Sequence, residues 1–289
     1  MTRLSDRPTR LKPPPRELRP REIEVRKLAP NMITAASLCA GLASLHYSLL
    51  GSVGAGPENF RYAVLAIVIS FILDGLDGRM ARLLRVTSKF GEVFDSMADF
   101  MAFGVAPAFL IYQWKLRDAV VNGKEVELFG LAAIMLFALC AAIRLARFAA
   151  NAAKKRPGAP TGKFFAGLPA PAAGGAVLIP AMLEFSPLVH YQVPATAILV
   201  WTALLAIFMV SKIPMLSIKG LKVKRALAPV ILALVALVVF GIMRDGWLTA
   251  SVVFGIYVLS FPLGFAGYRK AVAKEASEAA LLSERDAAI

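Results

Sequence analysis

Four carboxylates stand within one short stretch, Asp74 to Asp99, which reads DGLDGRMARLLRVTSKFGEVFDSMAD. The run before it, Tyr62 to Leu73, carries no charge, and Phe100 to Trp114 after it is apolar apart from one Gln. A carboxylate in or beside a bilayer costs a few kcal/mol even on the mildest scale, so Asp74, Asp77, Asp95 and Asp99 together require compensating charge. On a helix Asp74 and Asp77 are i,i+3 neighbours, and Gly91, Asp95 and Asp99 fall at i, i+4 and i+8, which makes two stripes. Two such helices face to face would gather the four acids, whose hard oxygens suit Mg²⁺, Mn²⁺ or Ca²⁺ rather than zinc. Arg79, Arg82, Arg85 and Lys89 lie between the pairs. Carboxylates, divalent ions and arginines together suit a diphosphate, because metal bridging two phosphates stabilises the charge that develops on cleavage. Acids near helix ends also cap helices, pair with arginines or sit in water, and any one of these four alone would be read that way.

The elements that must position these acids are apolar. The chain of 289 residues is 58% hydrophobic, with a mean hydropathy of +0.65, far from a soluble domain. We read an all-α polytopic membrane protein with eight transmembrane helices: Ala29–Leu50, Tyr62–Ala81, Val93–Trp114, Leu128–Phe148, Phe165–Glu184, Ala195–Lys212, Ala226–Met243 and Trp247–Tyr268. Residues 1–27, rich in Pro and Arg, read as a basic, largely disordered arm, 28–268 as the membrane domain, and 269–289 as a solvated tail. The net charge of +14 raises the question of nucleic acid, but its distribution points to membrane topology. With alternating spans, 28 Lys and Arg fall on the side of the termini and five on the other. That bias puts both termini and the aspartate connector in the cytoplasm. Cys39 and Cys140 fall in apolar helices and read as small buried hydrophobes. Zinc or nucleophilic-triad spacing is not found.

The aspartate stretch resembles the signature of the CDP-alcohol phosphotransferase family, D-x2-D-G-x2-A-R, eight residues, G-x3-D-x3-D. Asp74, Asp77, Gly78, Ala81, Arg82, Gly91, Asp95 and Asp99 match it at every defined position. The resemblance implies a helical membrane enzyme, commonly a homodimer, that transfers a phosphoryl-containing group from a CDP-alcohol to a second alcohol and releases CMP. It implies that Asp74, Asp77 and Asp95 mainly hold two divalent ions, with Asp99 close by as the general base and Arg82 helping to neutralise the diphosphate. A Pro-Asn-Met-Ile-Thr opening at Pro30–Thr34 resembles the family's nucleotide-side segment, so Asn31 and Thr34, with Gly78, Ala81, Arg82 and Gly91, are expected to meet CDP-diacylglycerol. A helix start is the other reading of Pro30–Thr34, and close helix packing the other reading of the two glycines.

Within the family, RLARF at Arg144–Phe148 and GLPAPA at Gly167–Ala172 resemble the branch that makes phosphatidylserine, although Ala149 stands where that branch usually has Asn. The expected acceptor is therefore L-serine, its carboxylate held by Arg144 or Arg147. Both arginines also suit membrane-surface anchoring. Glycerol 3-phosphate, an inositol phosphate or choline would keep the chemistry and change the product. An aspartate-rich prenyltransferase normally sets its acidic motifs far apart, and an ion transporter would leave the Gly-Ala-Arg register unexplained. The two prolines and the glycines of Phe164–Gly174 are expected to bend or break the fifth span beside a pocket.

Overall fold

The computed structural model describes residues 20–84, 88–121, 124–125, 127–153, 164–189, 191–211, 214–216 and 228–260. Residues 1–19, most of the two basic loops at 154–163 and 212–225, His190 and the tail after 260 lie outside the described residues, and with them most of the arm and the whole solvated tail.

The described chain is helical apart from two small antiparallel strand pairs. Helix α1 (Pro20–Ser52) and α2 (Glu58–Leu84) form the first hairpin. The helix does not start at Pro30, as one reading of that segment expected. It begins ten residues earlier and runs through the proline. Two serines, Ser37 and Ser70, clamp α1 to α2. Their hydroxyls lie 2.7 Å apart, and each hydroxyl also reaches the other residue's carbonyl, at 3.1 and 3.0 Å. Hydroxyls across small-residue interfaces serve as glue where lipid offers no hydrophobic driving force.

α3 (Lys89–Asp99) opens on Ser88, whose hydroxyl accepts from the Gly91 amide at 3.0 Å. After Asp99 the same rod widens into π-helical turns at Phe100–Val105, narrows in α4 (Ala106–Ile111), and widens again at Tyr112–Leu116. Pro107, near the start of α4, has no amide to donate. The strands β1 (Val120–Val121) and β2 (Lys124–Glu125) turn the chain into α5 (Glu127–Ala153).

The fifth span is broken, as its prolines and glycines predict. It opens as β3 (Phe164–Ala166), turns at Gly167 with φ +78°, and continues as two short helices, α6 (Ala170–Val177) and α7 (Ile179–Phe185). A side chain at 167 would be strained by that φ and would stand 2.5 Å from the Met209 carbonyl oxygen. β3 pairs with β4 (Pro214–Leu216), which follows α8 (Ala195–Val210). The last helix, α9 (Ala228–Leu259), leaves helical geometry at Asp245 (φ −158°, ψ 98°). A Cβ on Gly241 would lie 2.7 Å from Thr249 Oγ1, whereas eight residues of straight helix separate such positions by about 12 Å. The segment is thus a helical hairpin, broken between the two spans that the sequence reading separates there.

Five described helical segments are long and apolar enough to cross a membrane: Pro30–Ser52, Glu58–Leu84, Lys89–Leu116, Glu127–Ala150 and Pro229–Leu259. The count differs from eight because α6 and α7 are separate short helices, α8 has only 16 residues, and the two arms of the 229–259 hairpin are counted together as one segment. The core is built of small residues around large ones, with Ala102, Ala106, Ala173, Phe103 and Phe137 fully buried. Apolar side chains also cover the outside, as along Val230, Leu232, Leu237 and Phe240. Cys140 is buried, but Cys39 is exposed on α1, contrary to expectation, because its face of that helix has no described neighbour covering it.

Candidate active site

α2 and α3 bring their acids together against α1 and α5. One carboxylate oxygen each from Asp74, Asp95 and Asp99 lie within 4.8 Å of one another, and all three residues are partly buried. At that spacing each pair of charges repels by roughly 3 kcal/mol at an effective dielectric near 20. Three hard oxygen donors converging in this way fit a divalent cation of the Mg²⁺, Mn²⁺ or Ca²⁺ type.

Asp77 is held differently. It is 5% exposed, and its Oδ2 accepts a 2.7 Å hydrogen bond from the Thr34 hydroxyl. That hydroxyl also lies 3.1 Å from the Pro30 carbonyl, but it has one proton, and the shorter, charged acceptor is the stronger partner. Asp77 remains within electrostatic reach of Asp95 and Asp99.

The residues expected from the sequence to meet the nucleotide fall around this cluster. Asn31 faces α3, where a Cβ on Gly91 would stand 3.1 Å from Asn31 Oδ1 and 3.1 Å from Ser88 Oγ. Packing therefore accounts for Gly91. It does not account for Gly78, because a Cβ there meets no described atom within 4 Å. Arg82 is exposed, and its Nε donates to the Gly78 carbonyl at 2.8 Å. Ala81 lies between them on α2.

The two arginines of α5 part company. Arg147 Nη1 donates to the Val210 carbonyl at 2.9 Å, tying α5 to the last residue of α8. Arg144 points inward, with Asp99 and Tyr257 as its electrostatic neighbours. Its Nε is buried and has no hydrogen-bond partner among the described residues. Buried donors are nearly always satisfied, so this one marks a place for an acceptor group. Tyr257, on the C-terminal hairpin, escaped the sequence reading, since nothing local in Gly255–Val258 signals contact with a helix more than a hundred residues earlier. The π-helical register directly after Asp99 was equally silent in the sequence, and such widened turns often occur at functional sites.

The opposite end of the bundle carries no comparable cluster of acids among the described residues. Lys115 pairs with Glu184 at 3.0 Å, Glu184 also accepts from the Val193 amide at 2.6 Å, and Ser186 bonds Asp245. These contacts tie the ends of helices together.

Comparison with known proteins gives the same direction. A model of the CDP-alcohol phosphatidyltransferase family matches residues 27–209, well over half of the chain. The chain is 31% identical over 245 residues to the CDP-diacylglycerol–serine O-phosphatidyltransferase of Mycobacterium leprae, covering 84% of this chain and 76% of that protein. It is 35% identical over 234 residues to the protein of the same name from Helicobacter pylori, covering 80% and 88%. Over a shorter stretch of 113 residues it is 42% identical to that of Methanocaldococcus jannaschii, covering 39% and 46%. The aspartates, Asn31, Thr34 and the α5 arginines all lie inside the matched region, and the chain belongs to the CDP-alcohol phosphatidyltransferase family.

Proposed function

We propose that this integral membrane protein transfers the phosphatidyl group of CDP-diacylglycerol to the hydroxyl of L-serine, giving phosphatidylserine and CMP. The observation that carries the reading is the meeting of three carboxylates within 4.8 Å, with a buried guanidinium nitrogen near them that has no hydrogen-bond partner among the described residues. The names of the relatives in Mycobacterium leprae and Helicobacter pylori support serine as acceptor.

Asp74, Asp77 and Asp95 would hold divalent metal, Mg²⁺ or Mn²⁺, together with an oxygen of Asp99. Bound there, such ions neutralise the diphosphate and stabilise the charge that develops on it. Thr34 fixes the rotamer of Asp77, so that one ligand is in place before substrate arrives. Arg82, anchored through Nε, presents its remaining donors to the phosphates, and Gly78 leaves room for the nucleotide to approach α2. Arg144 holds the serine carboxylate. Asp99 accepts the proton of the serine hydroxyl as its oxygen forms a bond to the phosphorus that bears diacylglycerol. The phosphorus–oxygen bond to CMP breaks, and CMP leaves with the electron pair.

The chain would cross the cytoplasmic membrane eight times, with both termini and the aspartates on the cytoplasmic side. The excess of Lys and Arg at that level supports this topology, and the family resemblance supports a homodimer.

The test is product identity. Purified protein is given CDP-diacylglycerol and Mg²⁺ or Mn²⁺ with L-serine, glycerol 3-phosphate, inositol phosphate or choline, and the lipids are read by mass spectrometry. Phosphatidylserine formed only with serine supports the reading. A different phospholipid from another acceptor would keep the chemistry and overturn the acceptor.

A further inference from the structure

A cavity of about 450 Å³ opens between α2, the π-helical turn after Asp99, α6–α7 and the C-terminal hairpin. Its lining includes Val68, Phe71, Phe103, Met182, Val253 and Phe254. The one side-chain hydroxyl in the wall, Thr249 Oγ1, already donates to the Asp245 carbonyl at 2.8 Å. Nothing in this wall asks for a polar ligand.

Position says what fits. The upper end is marked by Phe71, one helical turn before Asp74, whose ring packs edge-on against Phe103 at 6.0 Å and Phe254 at 5.9 Å. The lower end is marked by Trp247, stacked edge-on with Phe185 at 5.7 Å. Along α2 the lining runs from Phe71 back to Leu65, about 9 Å of helix. The mouth lies between α2 and the hairpin, where Leu65, Phe71 and Val253 are between 41% and 46% exposed and face outward. A chain lying in the bilayer could enter sideways there, with its head group at the aspartates.

We propose that this cavity holds one acyl chain of the lipid donor, and that the C-terminal hairpin sets which chain fits. The proposal rests on the lipid-donor reading above. Nearly half of the wall comes from Val238 to Phe254, beyond the family match that ends at residue 209, so chain selection would be tuned outside the region that carries the aspartates. Transfer from lipid into an apolar pocket gains little hydrophobic free energy, because both surroundings are apolar. Discrimination must come from fit, through voids left by short or thin chains and crowding by long or bulky ones. Gly175 contributes to the fit, since a Cβ there would stand 2.1 Å from the Phe254 ring. Any side chain at 175 would push that ring into the cavity.

The experiment fills the deep half of the cavity. Ala250 lies one turn from Phe254, about 10 Å below the level of Asp74, a depth near which a hexanoyl chain ends and beyond which a palmitoyl chain continues. Serine-dependent CMP release is compared for dipalmitoyl and dihexanoyl CDP-diacylglycerol in wild type, Ala250→Trp and the milder Ala250→Leu. The ratio of kcat/KM for the long over the short donor should fall at least tenfold in Ala250→Trp, chiefly through KM, and by less in Ala250→Leu. An unchanged ratio in variants that still turn over the short donor overturns the cavity assignment alone. If Ala250→Trp does not fold, the ratio in Ala250→Leu decides. Wild type without serine-dependent release on either donor would instead remove the functional reading and this proposal with it.

Discussion

Thr34→Val removes one hydroxyl and keeps the shape of the side chain. In the folded protein that hydroxyl donates at 2.7 Å to Asp77, and both residues are 5% exposed. Water therefore cannot easily replace the lost donor. A hydrogen bond to a charged, buried acceptor contributes about 2 kcal/mol. Part of this loss appears as a looser Asp77, free to rotate away from the position that a metal requires. At 1.36 kcal/mol per decade, the full loss corresponds to about a thirtyfold increase in the divalent-ion concentration needed for half-maximal CMP release. The assay is a Mn²⁺ or Mg²⁺ titration of CMP release in detergent, with the melting temperature measured alongside. Thr34→Ser, which keeps the donor, should stay within a few fold of wild type. If Thr34→Val titrates within twofold of wild type, Asp77 does not depend on Thr34, and the account of how α1 preorganises the site fails.

The α5 arginines should separate cleanly. Arg144→Ala should raise the KM for serine by roughly thirtyfold or more, since it removes a charge-assisted contact worth about 2 kcal/mol or more, while the KM for CDP-diacylglycerol changes little. Arg147→Ala should leave the serine KM near wild type and lower the melting temperature, because what it loses is the bond to the Val210 carbonyl; the reverse pattern would exchange their roles. Gly78→Ala should cost at least tenfold in kcat/KM for CDP-diacylglycerol with no loss of melting temperature, because a Cβ there meets no described protein atom. Unaltered kinetics would mean that no ligand approaches that backbone. Asp245→Ala removes the acceptor that caps the second helix of the hairpin through the Trp247 and Leu248 amides at 3.0 and 3.1 Å. It should cost about 1–2 kcal/mol of stability, seen as a lower melting temperature, with Asp245→Asn recovering part of the loss.

The aspartate motif was legible because its information is local. Spacing along two helices fixes which faces the acids share, and charge in an apolar run is conspicuous. The same locality made α2, α5 and the break near Asp245 readable, since hydropathy and a charged Arg-Asp-Gly interruption are written in the chain itself. Pro30 misled one reading because a proline ordinarily opens a helix. Here the residues before it continue the helix, at the loss of one amide donor. The break of the fifth span was legible in its prolines and glycines, but not its form, in which Gly167 turns beneath the Met209 carbonyl and Leu178 separates α6 from α7. What could not be read were the long-range pairings. That Thr34 would meet Asp77, that Arg144 would turn toward Asp99 while Arg147 bonds Val210, and that Tyr257 would join them all depend on packing between helices that no local pattern specifies.

The central claim is that Asp99 takes the proton of the serine hydroxyl on a carboxylate platform built by α2 and α3. The most direct measurement is serine-dependent CMP release by wild type and by Asp99→Asn, side by side, with folding verified by melting temperature and saturating Mn²⁺ present. Asn keeps the size of the side chain but cannot accept a proton as a base, so the account predicts a loss of at least a thousandfold in kcat with the KM for CDP-diacylglycerol changed by no more than a few fold. A folded Asp99→Asn that releases CMP at a rate within tenfold of wild type would contradict it.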